Sequence, residues 1–325
     1  MKVSNIIIIL IILLVIVSQN TKEELTLREK IAQKIMMHGI NENIEGIKEL
    51  KIGGAYIGSE GSKGKFINLI NNLQNQKIPL FIAADMEGCI NPFNEFFISS
   101  SLKNIKTEKQ AYELGKRHGQ IMNELRFNIN LAPVVDLNDT IWNCRSFSGD
   151  AKEISNFSYN YVKGLQEQDV IATLKHFPGK TISLKDPHNE LVYATIEEED
   201  LLPYKNTNAK AIMISHIIVN GSINSNSKPA VVSKELIKKL REELKFEGLI
   251  ITDDIGMEGL KKYYDNKDQM YIDLFKADND IILTFENVNE VKNMIYVVEK
   301  AIKEGIIEEK MIDKSVNRIL KYKKQ

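Results

Sequence analysis

The chain has 325 residues, of which 43% are hydrophobic and 27% are charged, and its formal net charge is −1. This length allows one large domain or two ordinary ones, and the composition is that of a globular protein. Lysine and glutamate are spread along the whole chain and form no basic patch or stripe, so the sequence carries no nucleic-acid footprint and we expect no nucleic-acid partner. The charge balance is compatible with a neutral, polar small-molecule substrate.

The first residues differ in composition from the rest of the chain. Lys2 is followed by an unbroken apolar run, Ile6–Val17, and then by the polar stretch Ser18–Glu24. The run is shorter than the about 20 apolar residues that a membrane-spanning helix needs, and a basic start followed by a short apolar core is typical of a secretory signal. We predict that residues 1–21 are a signal peptide or an uncleaved membrane anchor, and that the protein is exported (periplasmic, extracellular or membrane-anchored).

The chain contains two cysteines, Cys89 and Cys144. Two cysteines cannot supply a metal cage or a disulfide framework. Export would permit a bridge between them, but two cysteines in a domain of this size are more often buried thiols. We therefore expect thiols, with no metal and no organic cofactor.

From Lys22 onward, short β-branched runs alternate with amphipathic helical stretches, and the sequence shows no linker and no composition break. Three stretches have clear helical periodicity, Thr107–Leu125, Ser233–Leu244 and Val288–Glu304. Seven runs predict strands: Ile52–Ile57, Leu80–Ala84, Ile129–Val135, Val170–Leu174, Ala211–Ile214, Leu249–Thr252 and Asp280–Leu283.

Strands that alternate with helices indicate a parallel sheet. Seven of them over residues 22–325 favour a single-domain (β/α)8 TIM-type barrel, in which we expect the eighth strand to be irregular or missing. No Gly-x-Gly-x-x-Gly turn follows the first predicted strand, which argues against a dinucleotide-binding fold.

Five successive predicted strands end in an ionisable residue. These residues are Asp85, Asp136, the pair Lys175-His176, His216 and Asp253. The carboxyl ends of barrel strands meet at one mouth, where active sites of this fold lie. The sequence therefore predicts an active site at this mouth, although Asp136 considered alone is better interpreted as an ordinary helix cap.

The most specific segment is Lys175-His176-Phe177-Pro178-Gly179, followed eleven positions after Lys175 by Asp186-Pro187-His188. It resembles glycoside hydrolase family 3, in particular its single-domain β-N-acetylhexosaminidase (β-N-acetylglucosaminidase) branch, which carries Lys-His-Phe-Pro-Gly and then Asp-Ser/Thr-His. Other segments that resemble the family in the same order include Ala84–Gly88, Asn130–Asn138, Arg145–Phe147, Ile214–His216, Lys228–Ala230, Phe246–Gly248, Ile251–Met257 and Ser315–Leu320.

The resemblance implies a barrel that acts as a retaining glycosidase. Such an enzyme needs a carboxylate that attacks the anomeric carbon and an acid/base that protonates the leaving oxygen and later activates water. The matching positions are Asp253 for the nucleophile and His188 for the acid/base. Asp186 is placed to orient the His188 ring and to stabilise its charged form. The two-domain β-glucosidases of the family lack this Asp–His pair.

The resemblance also implies which residues hold the sugar. Asp85, Arg145, Lys175 and His176 match positions that bind its hydroxyl and acetamido groups, where charge-assisted hydrogen bonds are strong and directional. Met257 is expected to line the pocket. His216 and Asp136 are expected to support these residues without contacting the sugar.

Several positions depart from the family pattern. Cys89-Ile90 stands where the family has Gly-Arg, Lys180-Thr181 where it has His/Arg-Gly, and Pro187 where it has Ser or Thr. These departures keep two alternatives open, a non-catalytic glycan-binding barrel and a β-glucosidase.

The preferred hypothesis is an exo-acting β-N-acetylglucosaminidase working on peptidoglycan fragments or chitin oligomers, in salvage or cell-wall turnover outside the cytoplasm. Because a histidine acid/base does not repel an anion, phosphate could replace water as the acceptor.

Overall fold

The computed structural model describes residues 25–183, 185–205 and 207–323. The predicted signal or anchor, residues 1–21, lies outside this part of the chain. Among the described helices, none has both the length and the apolar character needed to cross a membrane.

Eight parallel strands form the centre of the fold. Neighbouring strands pair in the order β10-β1-β2-β3-β4-β5-β7-β9. A parallel bridge between Ile251 and Ile281 joins the two end strands, so the sheet closes into a barrel. The eight strands are β1 (Ile35–His38), β2 (Gly54–Tyr56), β3 (Phe81–Ala84), β4 (Ile129–Asn130), β5 (Ile171–Phe177), β7 (Ala211–Ile214), β9 (Leu249–Thr252) and β10 (Ile282–Thr284).

Helices cover the outside of the barrel. The α-helices are Leu27–Gln33, Ile44–Leu50, Lys63–Leu73, Glu108–Glu124, Ala151–Gln166, Leu202–Lys205, Lys234–Glu242, Glu258–Lys261, Lys267–Lys276, Val288–Lys303 and Glu309–Lys323. Short 3-10 turns are at Asn41–Asn43, Leu102–Asn104 and Ala230–Val232. The three helical stretches predicted from periodicity are confirmed within two residues at each end.

Side chains along each strand alternate between two apolar layers, as expected for a barrel. In β3, Phe81 and Ala83 belong to the inner cluster, which also contains Met213 and Ile251. The alternate residue Ile82 packs in the larger cluster between the strands and the helices. The inner cluster is a packed core, so the functional mouth lies at the strand ends and not along the barrel axis.

The expectation of an irregular or missing eighth strand is wrong. The eighth strand is β1, Ile35–His38, which directly follows the first helix and pairs with β2 and β10. The sequence Ile-Met-Met-His is short and has a single β-branched residue, so it gave no strand signal. Conversely, the run Ile129–Val135 forms regular strand only at Ile129–Asn130.

A second, two-stranded parallel sheet lies beyond the barrel. It pairs β6 (Tyr193–Ile196) with β8 (Ile218–Gly221). The first of these strands follows the loop after β5, and the second follows β7 by three residues. This small sheet therefore belongs to the same end of the barrel as the ionisable strand ends.

Candidate active site

The barrel brings the predicted strand-end residues to one mouth. Asp85 follows β3, Lys175 and His176 lie near the end of β5, and Asp253 follows β9. The register of β5 against β7 shifts between Leu174 and Phe177, and such an irregularity re-aims side chains. Lys175 accordingly contacts Asp85, which follows β3, and His176 contacts Asp136, which follows the adjacent strand β4.

Lys175 lies at the centre of a buried cluster of charges. Its ammonium group donates hydrogen bonds to Asp85 and is 2.6 Å from Glu87 Oε1. Arg145 Nε and Nη2 donate to the two Glu87 carboxylate oxygens, at 2.7 and 2.8 Å. Burial opposes the charge on Glu87, but Lys175 and Arg145 outweigh it and lower the pKa of Glu87 to about 2. Glu87 thus fixes both cations that the sequence assigns to sugar binding.

The buried His176 is held by Asp136. The ring Nδ1 is 2.8 Å from Asp136 Oδ2, and both side chains are buried. The interpretation of Asp136 as a helix cap is therefore wrong. The other carboxylate oxygen, Oδ1, has no hydrogen-bond partner among the described residues, so Asp136 acts on His176 through one oxygen.

Asp253 is fixed by the backbone around it. Its N–H donates to Ile214 O at 3.0 Å, and its Oδ1 accepts the Asp254 N–H at 2.9 Å. Burial works to raise the pKa of Asp253, but the charges of His176, His216 and Lys175 outweigh it and lower that pKa. The carboxylate is therefore in the ionised form that a nucleophile requires.

Asp254 and Met257 follow the predicted nucleophile in the segment after β9. Asp254 Oδ1 accepts N–H groups from Gly256 at 3.0 Å and Phe285 at 3.1 Å, so it ties the segment after β9 to the segment after β10. Burial raises the pKa of Asp254. Met257 is buried at the start of the helix Glu258–Lys261, and its contact with a substrate stays a prediction.

His188 lies in the loop between β5 and β6, together with its predicted orienting residue. Asp186 Oδ1 is 2.6 Å from His188 Nδ1 and accepts the His188 N–H at 3.0 Å. The His188 side chain is half exposed, so solvent reaches part of the ring that Asp186 holds through Nδ1.

The loop that carries His188 is anchored to the segment that follows Asp253. Glu258 and Gly259 donate backbone N–H groups to the carbonyls of His188 and Pro187, each at 3.2 Å. A Cβ on Gly259 would lie 2.5 Å from Pro187 O, so glycine permits this close approach. The backbone thereby couples the predicted acid/base to the predicted nucleophile.

His216 contacts the residue next to Asp253, and its supporting role stays a prediction. It is buried, and its Nε2 is 2.8 Å from the Asp254 carbonyl. Burial lowers the pKa of His216. Its Nδ1 has no hydrogen-bond partner among the described residues, which leaves one buried polar atom available beside Asp253.

Sequence reasoning missed several residues of the mouth. Glu87 lies in the segment Ala84–Gly88, which resembles the family, but the sequence indicated no role for it. An aromatic cluster lines the side between β2 and β10, where the Phe285 ring centroid is 5.1 Å from that of His38 and 4.9 Å from that of Tyr56. The neighbouring Asp85 raises the pKa of Tyr56, partly through a hydrogen bond to its hydroxyl. Strand-end position was an available signal for Tyr56 but not for His38, because β1 was not identified from the sequence.

Trp142 is a further residue that the sequence did not indicate. The Arg145 guanidinium lies over the Trp142 ring, 5.6 Å from the ring centroid. The Trp142 ring centroid is 6.4 Å from that of His188, in an edge-on arrangement. One exposed aromatic residue therefore contacts both the arginine predicted to bind the sugar and the predicted acid/base.

The expectation of two free thiols is wrong. Cys89 and Cys144 form a disulfide with a Cα–Cα distance of 6.1 Å. The bridge joins the turn that contains Glu87 to the loop that contains Arg145. It follows that the partners of the buried ion pair are also connected covalently through neighbouring residues.

The other departures from the family pattern are accommodated. Lys180 pairs with the buried carboxylate of Asp200 at 3.1 Å and donates to Thr195 O at 2.7 Å. Thr181 is buried, and its hydroxyl reaches His176 O at 3.4 Å. Among the described residues, no group of three or more His, Cys, Asp and Glu side chains is arranged to hold a metal ion.

The sequence model of the family described as "Glycosyl hydrolase family 3 N terminal domain" matches residues 26–322. The chain belongs to glycosyl hydrolase family 3. This family 3 chain is 29% identical to β-hexosaminidase A of Pseudoalteromonas piscicida, over 86% of the chain and 54% of that protein. It is 27% identical to β-hexosaminidase LpqI of Mycobacterium tuberculosis, over 92% of the chain and 83% of that protein.

Solved structures of family 3 proteins have the same fold. A β-N-acetylglucosaminidase from Paenibacillus sp. str. FPU-7 matches with a TM-score of 0.84 and 25% identity, over 93% of this chain and 62% of that one. LpqI of M. tuberculosis matches with a TM-score of 0.82 and 26% identity, over 92% and 94% of the two chains. The chain thus spans little more than half of β-hexosaminidase A but nearly all of the solved LpqI chain.

Proposed function

We propose that this family 3 chain is a retaining exo-β-N-acetylglucosaminidase in which Asp253 is the nucleophile and His188 the acid/base. The observation that carries the proposal is the Asp186–His188 pair, 2.6 Å apart, in a loop bonded to the helix that follows Asp253. The names of the β-hexosaminidase relatives support the same substrate class.

The proposed reaction has two steps. In the first, the Asp253 carboxylate attacks the anomeric carbon while the bond to the leaving oxygen breaks, and protonated His188 gives its proton to that oxygen. In the second, neutral His188 takes a proton from water, the water oxygen bonds to the anomeric carbon, and the bond to Asp253 breaks. Asp186 is hydrogen-bonded to the His188 ring in a position to stabilise its charged form.

The buried cations provide a binding site for the sugar at the mouth. Lys175 and Arg145 share the Glu87 carboxylate, and an ammonium and a guanidinium group together carry more N–H donors than this carboxylate accepts. Asp85 is the partly exposed acceptor of the cluster. This arrangement of donors and acceptors suits sugar hydroxyl and acetamido groups, and Trp142 and Phe285 offer apolar faces beside it.

The first experiment is hydrolysis of an aryl β-N-acetylglucosaminide by the protein, alongside Asp253→Ala and His188→Ala. We expect turnover by the unmodified protein and losses of several orders of magnitude for Asp253→Ala, because covalent catalysis needs the carboxylate. If none of the three proteins hydrolyses this substrate or the aryl β-glucoside, the result would favour the non-catalytic glycan-binding alternative.

Comparison of the N-acetylglucosaminide with the glucoside separates the preferred activity from a β-glucosidase. Peptidoglycan fragments and chitin oligomers are the proposed natural substrates, and their relative kcat/KM decides between them. Analysis of the products in phosphate buffer tests phosphorolysis, since a sugar 1-phosphate would form in place of the free sugar.

We also propose that the protein is exported. The apolar run Ile6–Val17 supports this, and so does the disulfide, because such bridges persist in oxidising compartments. Fractionation of cells that produce the full chain tests the proposal, and recovery of the protein in the cytoplasm with free thiols would contradict it.

A further inference from the structure

A groove of about 760 Å³ lies beside the catalytic mouth, outside the cluster of charged residues described above. This volume falls in the range of small-molecule sites. One wall is the small β6–β8 sheet. The other wall is made of Leu137 and Asn138, which follow Asp136, and of Lys180 and Ser183, which follow β5.

The sheet wall presents one face of paired strands to the groove. Residues two apart along a strand share a face, and side-by-side partners in a pair point the same way. Tyr193 pairs with Ile218, and Thr195 pairs with Asn220. Ala194, which lies between Tyr193 and Thr195 in β6, is buried, whereas Tyr193 is 66% exposed. The groove is thus lined by the exposed Tyr193 and by the Thr195 hydroxyl, which donates a hydrogen bond to Asn220 Oδ1 at 2.8 Å and leaves the Asn220 amide N–H groups as donors.

The polar groups of the groove are neutral or compensated. Among the described residues, Lys180 is the one charged residue that lines it, and its ammonium is paired with buried Asp200. The remaining polar lining consists of the amides of Asn138, Asn220 and Asn224 and of hydroxyl groups. An aromatic face with amides and hydroxyls around it, without net charge, matches a ligand that has C–H faces and many hydroxyl groups.

We propose that this groove is a second binding site for a neutral oligosaccharide, with Tyr193 as the ring on which one sugar stacks. The substrate class rests on the proposed function, but the site itself is separate from the catalytic residues. Lys180 and Ser183 lie near the start of the loop that carries His188, and Tyr193 directly follows its end. An oligosaccharide in the groove would therefore contact the protein at both ends of the catalytic loop.

The test uses the trisaccharide of β-1,4-linked N-acetylglucosamine, titrated calorimetrically into the full chain carrying Asp253→Asn. We expect two bound trisaccharides per protein, one at the mouth and one in the groove. Tyr193→Ala in the same background should leave one. Asn220→Ala should weaken the same site and provides a second variant from a different strand.

Tyr296→Ala is the matched control, because Tyr296 is similarly exposed, at 59%, on the helix Val288–Lys303. This control should keep two bound trisaccharides. A single bound trisaccharide in the parent that both Tyr193→Ala and Asn220→Ala retain, or two bound trisaccharides that both variants retain unchanged, would overturn the proposal. Hydrolysis of the aryl monosaccharide by Tyr193→Ala, with Asp253 intact, should be unchanged, so the groove and the proposed catalytic function fail or succeed separately.

Discussion

Glu87 lies between the two cations of the mouth, and its burial makes it decisive at the scale of single residues. Its carboxylate is completely buried and contacts both Lys175 and Arg145. A buried charge whose partner is removed cannot regain its hydration, so the loss exceeds the net energy of the pair. The Glu87 carboxylate therefore stabilises the fold and holds in place Lys175 and Arg145, the groups predicted to bind the sugar.

Glu87→Ala should lower the free energy of unfolding by about 3–5 kcal/mol, because it leaves two buried cations without their shared partner. Urea unfolding at pH 7 measures this. Glu124→Ala is the control, since Glu124 pairs with Lys63 on the surface and such pairs contribute about 0–1 kcal/mol. Equal effects of the two variants would show that the Glu87 cluster does not carry this energy.

The lowered pKa of Glu87 also predicts how stability depends on pH. Its pKa falls from 4.5 in the unfolded chain to about 2 in the folded protein, so the unfolded chain binds the proton more readily. The stability that Glu87 contributes is complete above the unfolded value and is lost as the pH falls from about 4.5 towards 2. Glu87→Gln should lack this part of the acid dependence, which unfolding curves between pH 2 and 6 measure.

At the scale of elements, the contact between the His188 loop and the helix Glu258–Lys261 holds the residue that we propose as the acid/base. Gly259 permits it, because a Cβ there would lie 2.5 Å from Pro187 O and 2.8 Å from Glu190 O. A side chain at this position must push the loop away from the helix, and misplacement of a catalytic group by about 1 Å can cost a hundredfold in rate.

Gly259→Ala should therefore lower kcat for the aryl N-acetylglucosaminide by roughly a hundredfold, while the protein stays folded. Gly64→Ala is the matched control, because Gly64 lies in the helix Lys63–Leu73 and a Cβ there meets nothing within 4 Å. Full activity of Gly259→Ala, with normal unfolding behaviour, would show that this contact does not position His188.

The disulfide connects two strand-end loops and closes a segment with a sequence separation of 55 residues. Loop-closure entropy predicts that such a bridge stabilises the protein by about 4 kcal/mol. Since Glu87 and Arg145 lie next to its two ends, reduction should also raise KM more than it lowers kcat.

Thermal unfolding and kinetics with and without a thiol reductant measure both effects. The double variant Cys89→Ser, Cys144→Ser is the control and should match the reduced protein and show no response to reductant. Unchanged Tm and KM on reduction would contradict the role given to the bridge.

At the scale of the whole molecule, the barrel could be predicted from the alternation of strands and helices, and its mouth from the ionisable residues at the ends of the predicted strands. Asp85, Lys175, His176 and Asp253 come together because parallel strands end on one side, which spacing alone predicts. The Asp186–His188 contact followed from the family-like motif. Strand β1 was missed because Ile-Met-Met-His lacks a strand pattern, whereas Tyr193–Ile196 alternates exposed and buried residues and could have been identified.

Contacts between distant segments could not be predicted in the same way. The pairing of Cys89 with Cys144, the Trp142–His188 contact and the Phe285–Tyr56 contact each join residues far apart in the chain. One sequence carries no signal for such distances, since they depend on how loops pack after the barrel has formed. The role of Glu87 was missed for the same reason, because it depends on the burial of its carboxylate.

The most direct measurement is mass spectrometry of His188→Ala during turnover of an aryl β-N-acetylglucosaminide with a good leaving group. Such a leaving group departs with little acid catalysis, whereas the second step lacks its base, so the covalent intermediate should accumulate. We expect a mass increase of one N-acetylglucosaminyl residue, located by peptide mapping on Asp253 and absent from Asp253→Ala. A protein that turns the substrate over without any adduct on Asp253, or with the sugar on another residue, would contradict it.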